Sequence, residues 1–255
     1  TNVISVVWQA LSYAIRHGAT CPALPDRPTF RRIPVVEPYA YSDKEISKIL
    51  LALLELSFKS NGLLRPHTLA TVIALLVTTG LRISEALALN IEDIDLDRGV
   101  LRIKRGKLGK PRDVPILHST VEGLRIHLER RERCVPVSEP GAPFFVSVNR
   151  DRLRPAAVSV PFKRIVKSLG IVTLGGKTPR LHDLRHTFAV NRVAQWYREG
   201  VDVNTRLAAL STYLGHTSAS HTAHYLRANE SILKEASARF EALWAPRDFG
   251  EGGQR

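Results

Sequence analysis

The chain has 255 residues, 44% of them hydrophobic, and carries 37 Lys and Arg against 24 Asp and Glu, a formal net charge of +13. That length sets a prior of one to two domains with ample apolar content for a core, and the charge excess favours a polyanionic partner, because each phosphate neutralised releases counterions. Cys21 and Cys134 stand far apart with no CxxC, so neither a disulfide framework nor a zinc site is signalled, and no apolar run reaches the roughly 18 residues a membrane span needs.

Residues 3–17 (VISVVWQALSYAIRH) read as a helix that is apolar almost all round and therefore needs burial by something else. No basic segment precedes it, so it is not a secretory signal, and the cysteine usage fits a reducing cytoplasm. Methionine is absent and the chain opens on Thr1, so the expectation is a fragment lacking upstream sequence. Pro22, Pro25, Pro28, Pro34 and Pro38 then break regular structure. Residues 21–40 are read as a linker, and residues 1–20 as the final helix of a truncated N-terminal domain or a segment packed back on the main one.

The main domain, residues 41–245, opens on a capping box, Ser42 and Glu45, ahead of ISKILLALLEL. A helix follows from about Pro66, suited to a first turn, to Gly80, suited to a C-cap, and LRISEALAL is a short third helix. Residues 91–117 switch to period two: IDLD, a DRG turn, VLRIKRG, a KLGK turn and RDVPIL. Helical patterning returns at 119–133, near 159–169, from 180 through two further segments, and at 229–244; the tail 246–255 is polar. The fold class is mixed, mainly α with a small three-stranded antiparallel sheet.

Arg82 falls at the N-terminal end of its apolar helix just after Gly80, where a guanidinium beside free backbone N–H groups suits a phosphate. In isolation the favoured reading is an ordinary surface arginine capping a turn; Glu85 is placed to orient it at i,i+3. The hairpin carries Arg102, Lys104, Arg105, Lys107, Lys110 and Arg112. Such a run can be a solvated edge that resists aggregation, but the mutual repulsion favours an anionic backbone lying across it. Lys107, next to Gly106 at the tip, is placed to swing an ammonium into a site.

In HDLRHTFA, His182 and His186 are spaced i,i+4 like metal ligands, yet Asp183 stands where a zincin requires Glu. The pair His182 and Arg185 instead suits a phosphate clamp with a proton-transfer partner, and His186 reads as structural. In LGHTSASHTAHY, Gly215 lets the backbone turn at His216, and Tyr225 follows nine residues later. A tyrosine with a free pKa near 10 needs a base or strong charge stabilisation to act as a nucleophile. No Walker A, no GxSxG elbow and no paired carboxylates for two-metal chemistry are present.

Taken together, TGLRISEAL, RGKLGKPRDVPI, HDLRHTFA and LGHTSASHTAHY resemble the signature boxes of the tyrosine recombinase (phage integrase) family over about residues 38–245. The resemblance implies the catalytic-domain fold of that family, with Arg82 and Arg185 as catalytic arginines, Lys107 as the hairpin lysine, His182 and His216 as active-site histidines and Tyr225 as nucleophile. His221 and His224 depart from the small or polar residues commoner there. The implied reaction is transesterification: Tyr225 forms a 3′-phosphotyrosyl link, Lys107 protonates the leaving 5′-oxygen, and His182 assists at the tyrosine. The two arginines and His216 stabilise the pentacoordinate charge.

No metal, ATP or other cofactor is required by that scheme. The implied partners are double-stranded DNA, further copies in a tetrameric synapse and other recombinases of the same mobile element. The implied location is cytoplasmic and nucleoid-associated, and Arg102, Lys104, Arg105, Lys110 and Arg112 are the expected backbone contacts. Two alternatives stay open: a type IB topoisomerase with the same chemistry, against which the compact length and the LGH…Y box argue, and a non-catalytic DNA-binding protein, against which the complete six-residue set argues.

Overall fold

The computed structural model describes residues 10–19, 38–56, 64–104, 111–135 and 139–215. The chain divides into two compact units, Thr1–Glu37 and Pro38–Arg255, with the division inside the proline-rich stretch. In the first unit residues 10–16 are helical. Tyr13 there is 62% exposed and packs its ring against His17 at 4.2 Å.

The second unit begins with α1 (Asp43–Leu54), whose capping box forms as the sequence reads. The Ser42 hydroxyl accepts from the Glu45 N–H at 3.3 Å, and the Glu45 carboxylate accepts from the Ser42 N–H at 2.8 Å. Two otherwise unpaired donors of the first turn are thereby satisfied. α2 (Leu64–Thr79) starts before Pro66, which sits in the first turn where a missing N–H costs nothing. It is apolar nearly all round, and correspondingly it is the central helix: Leu69, Val72, Ile73, Leu75 and Leu76 are each at most 2% exposed. It packs against α1, α3 (Ile83–Ala88), α4 (His118–Cys134) and α6 (Asp183–Arg198).

A 3-10 turn at Ile91–Asp93 leads into the sheet of β1 (Ile94–Asp95), β2 (Val100–Ile103) and β3 (Arg112–Pro115), antiparallel in the order β1-β2-β3. Leu101 pairs with Val114 and Ile103 with Arg112. Leu101, Ile103 and Val114 are buried, while Arg102 and Asp113, one residue out of phase, are exposed. α5 (Pro155–Ser168) runs four residues ahead of the expected start, with Pro155 at its N-terminus and Pro161 inside it. Phe162, Ile165 and Val166 fasten it to the main core.

Beyond this core, α6 and α7 (Val203–Leu214) build a second apolar cluster from Phe188, Ala189, Val190, Val193, Ala194, Val203, Leu210 and Leu214. α7 ends on Gly215 in the left-handed conformation, φ 66° and ψ 46°. Among the described residues no helix is long and apolar enough to cross a membrane, and no three His, Cys, Asp or Glu side chains are grouped to hold a metal.

Candidate active site

Three arginines from distant parts of the chain meet three consecutive backbone carbonyls at the end of α7. Arg112 Nε donates to the Tyr213 carbonyl at 2.8 Å, Arg185 Nη2 to that of Leu214 at 2.6 Å and Arg82 Nη2 to that of Gly215 at 3.2 Å. The last carbonyls of a helix have no intrahelical partner and sit at the negative end of its dipole, so cations are favoured there. Each contact satisfies an acceptor and fixes a guanidinium.

Arg185 lies one turn into α6 and is 2% exposed. Its Nη1 donates to the Gly80 carbonyl at 2.8 Å, so the charge is held between the C-termini of α2 and α7. Gly80 caps α2 at φ +62°, and a Cβ there would lie 2.5 Å from Phe188 Cδ1. Arg82 immediately precedes the six-residue α3, at its N-cap position. Its N–H donates to Glu85 Oε2 at 3.0 Å and its Nη1 to Glu85 Oε1 at 2.9 Å. A guanidinium has five N–H donors. Among the described residues Arg82 uses two of them, on Glu85 and Gly215, and its side chain remains 27% exposed.

Glu85 is 1% exposed in its side chain and accepts from Arg112 as well, Nη1 to Oε1 at 3.2 Å and Nη2 to Oε2 at 3.0 Å. Burial pushes its pKa up, but the Arg112 hydrogen bonds, the Arg82 N–H and both guanidinium charges outweigh burial and hold it below the ordinary carboxylate value. His182 caps the start of α6 with its ring at the surface. Partial desolvation first, then the neighbouring Arg185, holds its pKa below that of free histidine, with Asp183 opposing. Both effects favour the neutral imidazole, the form a proton acceptor requires. His186, four residues on, is buried.

The hairpin separates into two kinds of basic residue. Arg102 points outward with a 63% exposed side chain, 4.0 Å from Asp113 Oδ1. Lys104, also outward, is ion-paired with Asp93 Oδ1 at 2.8 Å and with Glu92, so part of the repulsion expected along this edge is offset inside the protein. Arg112 turns inward to Glu85 and Tyr213, with its side chain only 10% exposed. Arg105, Lys107, Lys110, His216 and Tyr225 lie outside the described residues.

Tyr213, a phenol close to the site, is poorly suited to be the nucleophile. Its hydroxyl donates to the Pro115 carbonyl at 3.3 Å, its ring stacks on Phe188 at 5.6 Å, and burial pushes its pKa up to about 12. Sequence reading missed the inward role of Arg112 and the Tyr213–Gly215 carbonyl ladder. It also missed Arg152, which donates to the Leu87 carbonyl at 2.9 Å and to Asn90 Oδ1 at 2.6 Å and so closes the end of α3.

The chain belongs to the phage integrase family, whose model matches residues 44–231, and with it to the tyrosine site-specific recombinases. A putative integrase/recombinase of Sinorhizobium fredii, y4rB, is 37% identical over 229 residues, covering 88% of this chain and 70% of that protein. The crystal structure of XerA recombinase superposes with a TM-score of 0.59 at 25% identity, over 96% of this chain and 74% of that one. XerH recombinase, solved bound to its palindromic difH substrate in a post-cleavage complex, superposes with a TM-score of 0.60 at 25% identity, over 80% of this chain and 54% of that one. These likenesses favour recombination over the relaxation of supercoils by a type IB topoisomerase.

Proposed function

We propose that the unit from Pro38 onward cleaves and rejoins double-stranded DNA through a covalent link to Tyr225, using Arg82, Arg185, Lys107, His182 and His216. The observation that carries this reading is the arginine ladder at the end of α7. It brings Arg185 and Arg82 to the carbonyls of Leu214 and Gly215, the two residues before His216, and His216 stands nine positions ahead of Tyr225 in sequence. Held cations in a partly desolvated corner act more strongly on a developing phosphorane charge than mobile surface arginines, because they need no reorganisation during the reaction.

In this scheme the Tyr225 oxygen attacks the scissile phosphorus, its proton passing toward neutral His182, while the P–O5′ bond breaks and Lys107 protonates the departing oxygen. The bond energy is retained in the 3′-phosphotyrosyl ester. A 5′-hydroxyl from a partner strand reverses the step, with no nucleotide or metal in the balance. Arg102 and the hairpin residues Arg105, Lys104 and Lys110 contact the DNA backbone, and exchange takes place between copies of the chain assembled on two sites.

The test is covalent capture. The full chain is incubated with a pool of nicked duplexes carrying randomised arms, and DNA that resists removal by detergent is sequenced. Wild type is expected to enrich a defined, partly palindromic duplex, and Tyr225→Phe to bind that duplex without forming the adduct. An adduct persisting in Tyr225→Phe, or no enrichment by wild type, overturns the assignment.

A further inference from the structure

We infer that Arg112 is a positioning residue of this active site and does not bind the DNA backbone; the inference rests on the reading given under Proposed function. Arg112 sits at the start of β3, on the same face as buried Val114. Its guanidinium makes a fork with the Glu85 carboxylate while its Nε holds the Tyr213 carbonyl at 2.8 Å. A fork of two parallel bonds fixes direction as well as distance. Three of the five donors are thereby committed inside the protein.

The charge balance gives this arrangement its consequence. Glu85 is shared by Arg82 and Arg112, so the three side chains together carry one net positive charge. Were Glu85 to face Arg82 alone, that charge would cancel, and the more exposed guanidinium of the two would be spent on an internal carboxylate. Arg112 thus leaves Arg82 with charge to offer a phosphate. It also braces the backbone: the carbonyl it holds is the first of the ladder whose next two members orient Arg185 and Arg82. The fit is close, since a Cβ on Gly215 would stand 2.8 Å from Arg112 Nη1. By sequence the same residue lies five positions after Lys107 and its acceptor Tyr213 three before His216, so one side chain ties together the chain segments leading to both.

The test uses the full chain and the duplex captured by wild type. Arg112→Lys keeps the charge but replaces the fork with a single ammonium; Arg112→Met removes both. Affinity is measured against salt concentration, and the rate of adduct formation at saturating DNA. The expected result is a salt slope unchanged from wild type with the saturating rate lowered on the order of 10²-fold, the loss typical of a misplaced catalytic group. Glu85→Gln in the Arg112→Met background should cost much less than its effect on wild type multiplied in, because the two residues act on Arg82 as a unit. A slope that falls by about one with an unchanged saturating rate marks Arg112 as a phosphate ligand and overturns the inference, as do additive effects with Glu85→Gln. If Arg112→Met does not fold, Arg112→Lys decides; an unfolded Arg112→Lys at the assay temperature makes the role purely structural and overturns it too. Failure of wild type to form any adduct refutes the underlying reading instead, and is read in the same gel.

Discussion

Arg185 donates to the carbonyl of Gly80 at 2.8 Å across 105 residues of sequence, and this one bond places a buried cation against the C-terminus of the central helix. Gly80 is therefore constrained three times over: by the left-handed turn that ends α2, by the carbonyl it presents, and by the Phe188 ring packed where a side chain would project. Phe188 in turn is stacked on Tyr213, whose carbonyl begins the arginine ladder. The packing of the small α6–α7 cluster and the orientation of the charged groups are thus one mechanical unit.

Gly80→Ala should destabilise the protein by about 2 to 4 kcal/mol, combining left-handed strain with overpacking against a ring that cannot retreat. Phe188→Leu in the same chain should recover the steric part and leave the cost of the turn. Urea denaturation of the single and double variants measures both. A Gly80→Ala midpoint equal to wild type would show that neither the left-handed turn nor the Phe188 ring resists a side chain there.

Outward and inward charges on the hairpin should separate in salt titrations on the captured duplex. Arg102→Ala is expected to lower the slope of log affinity against log salt by about one, the change for one phosphate no longer neutralised. Lys104→Ala should lower it by less, because Asp93 and Glu92 already hold that ammonium. Equal slopes for the two variants would mean that DNA displaces the carboxylates. Lys107→Ala should instead slow cleavage with little change in affinity, and a 5′-bridging phosphorothiolate, whose sulfur leaves unprotonated, should restore the rate.

Much of the fold was legible because its signals are local. The Ser42–Glu45 box, the Arg82–Glu85 pair and the helix end at Gly80 each involve residues within one turn of each other. The start of α5 was placed four residues late: the helix begins at Pro155, suited to a first turn, and Phe162 and Ile165 pack it on the core past Pro161. For Arg112 the signal was present and passed over. Strand parity puts it on the face of Val114 and opposite that of Arg102, but a run of basic residues invites treatment as one surface. The carbonyl ladder had no signal at all: backbone acceptors have no identity in sequence, and Arg82 and Gly215 are 133 residues apart.

The lowered pKa of His182 gives cleavage a pH signature. With His182 as the proposed base, its lowered pKa should centre the acid limb of the adduct-forming rate below the ordinary histidine value. Arg185 contributes to that lowering. Arg185→Gln should therefore move the residual acid limb upward, toward that of free histidine, in addition to reducing the rate. An acid limb centred above pH 6.5 in wild type would exclude His182 as the base.

Stability should carry its own pH dependence, from a histidine far from this chemistry. His127 on α4 is 1% exposed, packed against the rings of Phe144 and Phe145 at 5.3 and 5.2 Å, and among the described residues neither ring nitrogen has a well-formed hydrogen bond. Burial first, then the charge of Arg131, lowers its pKa to about 4, with a weak interaction with the Phe144 backbone opposing. The unfolded chain, with a histidine pKa near 6.5, then binds more protons than the folded one between those two values. His127 therefore makes stability fall as pH drops from about 6.5 toward 4, by about 3 kcal/mol in all at roughly 1.4 kcal/mol per unit, and contributes no slope above pH 7. His127→Leu should flatten that part of the curve in urea titrations taken at successive pH values, even if it shifts overall stability through its different shape. A wild-type slope surviving unchanged in His127→Leu would assign the acid sensitivity to other groups.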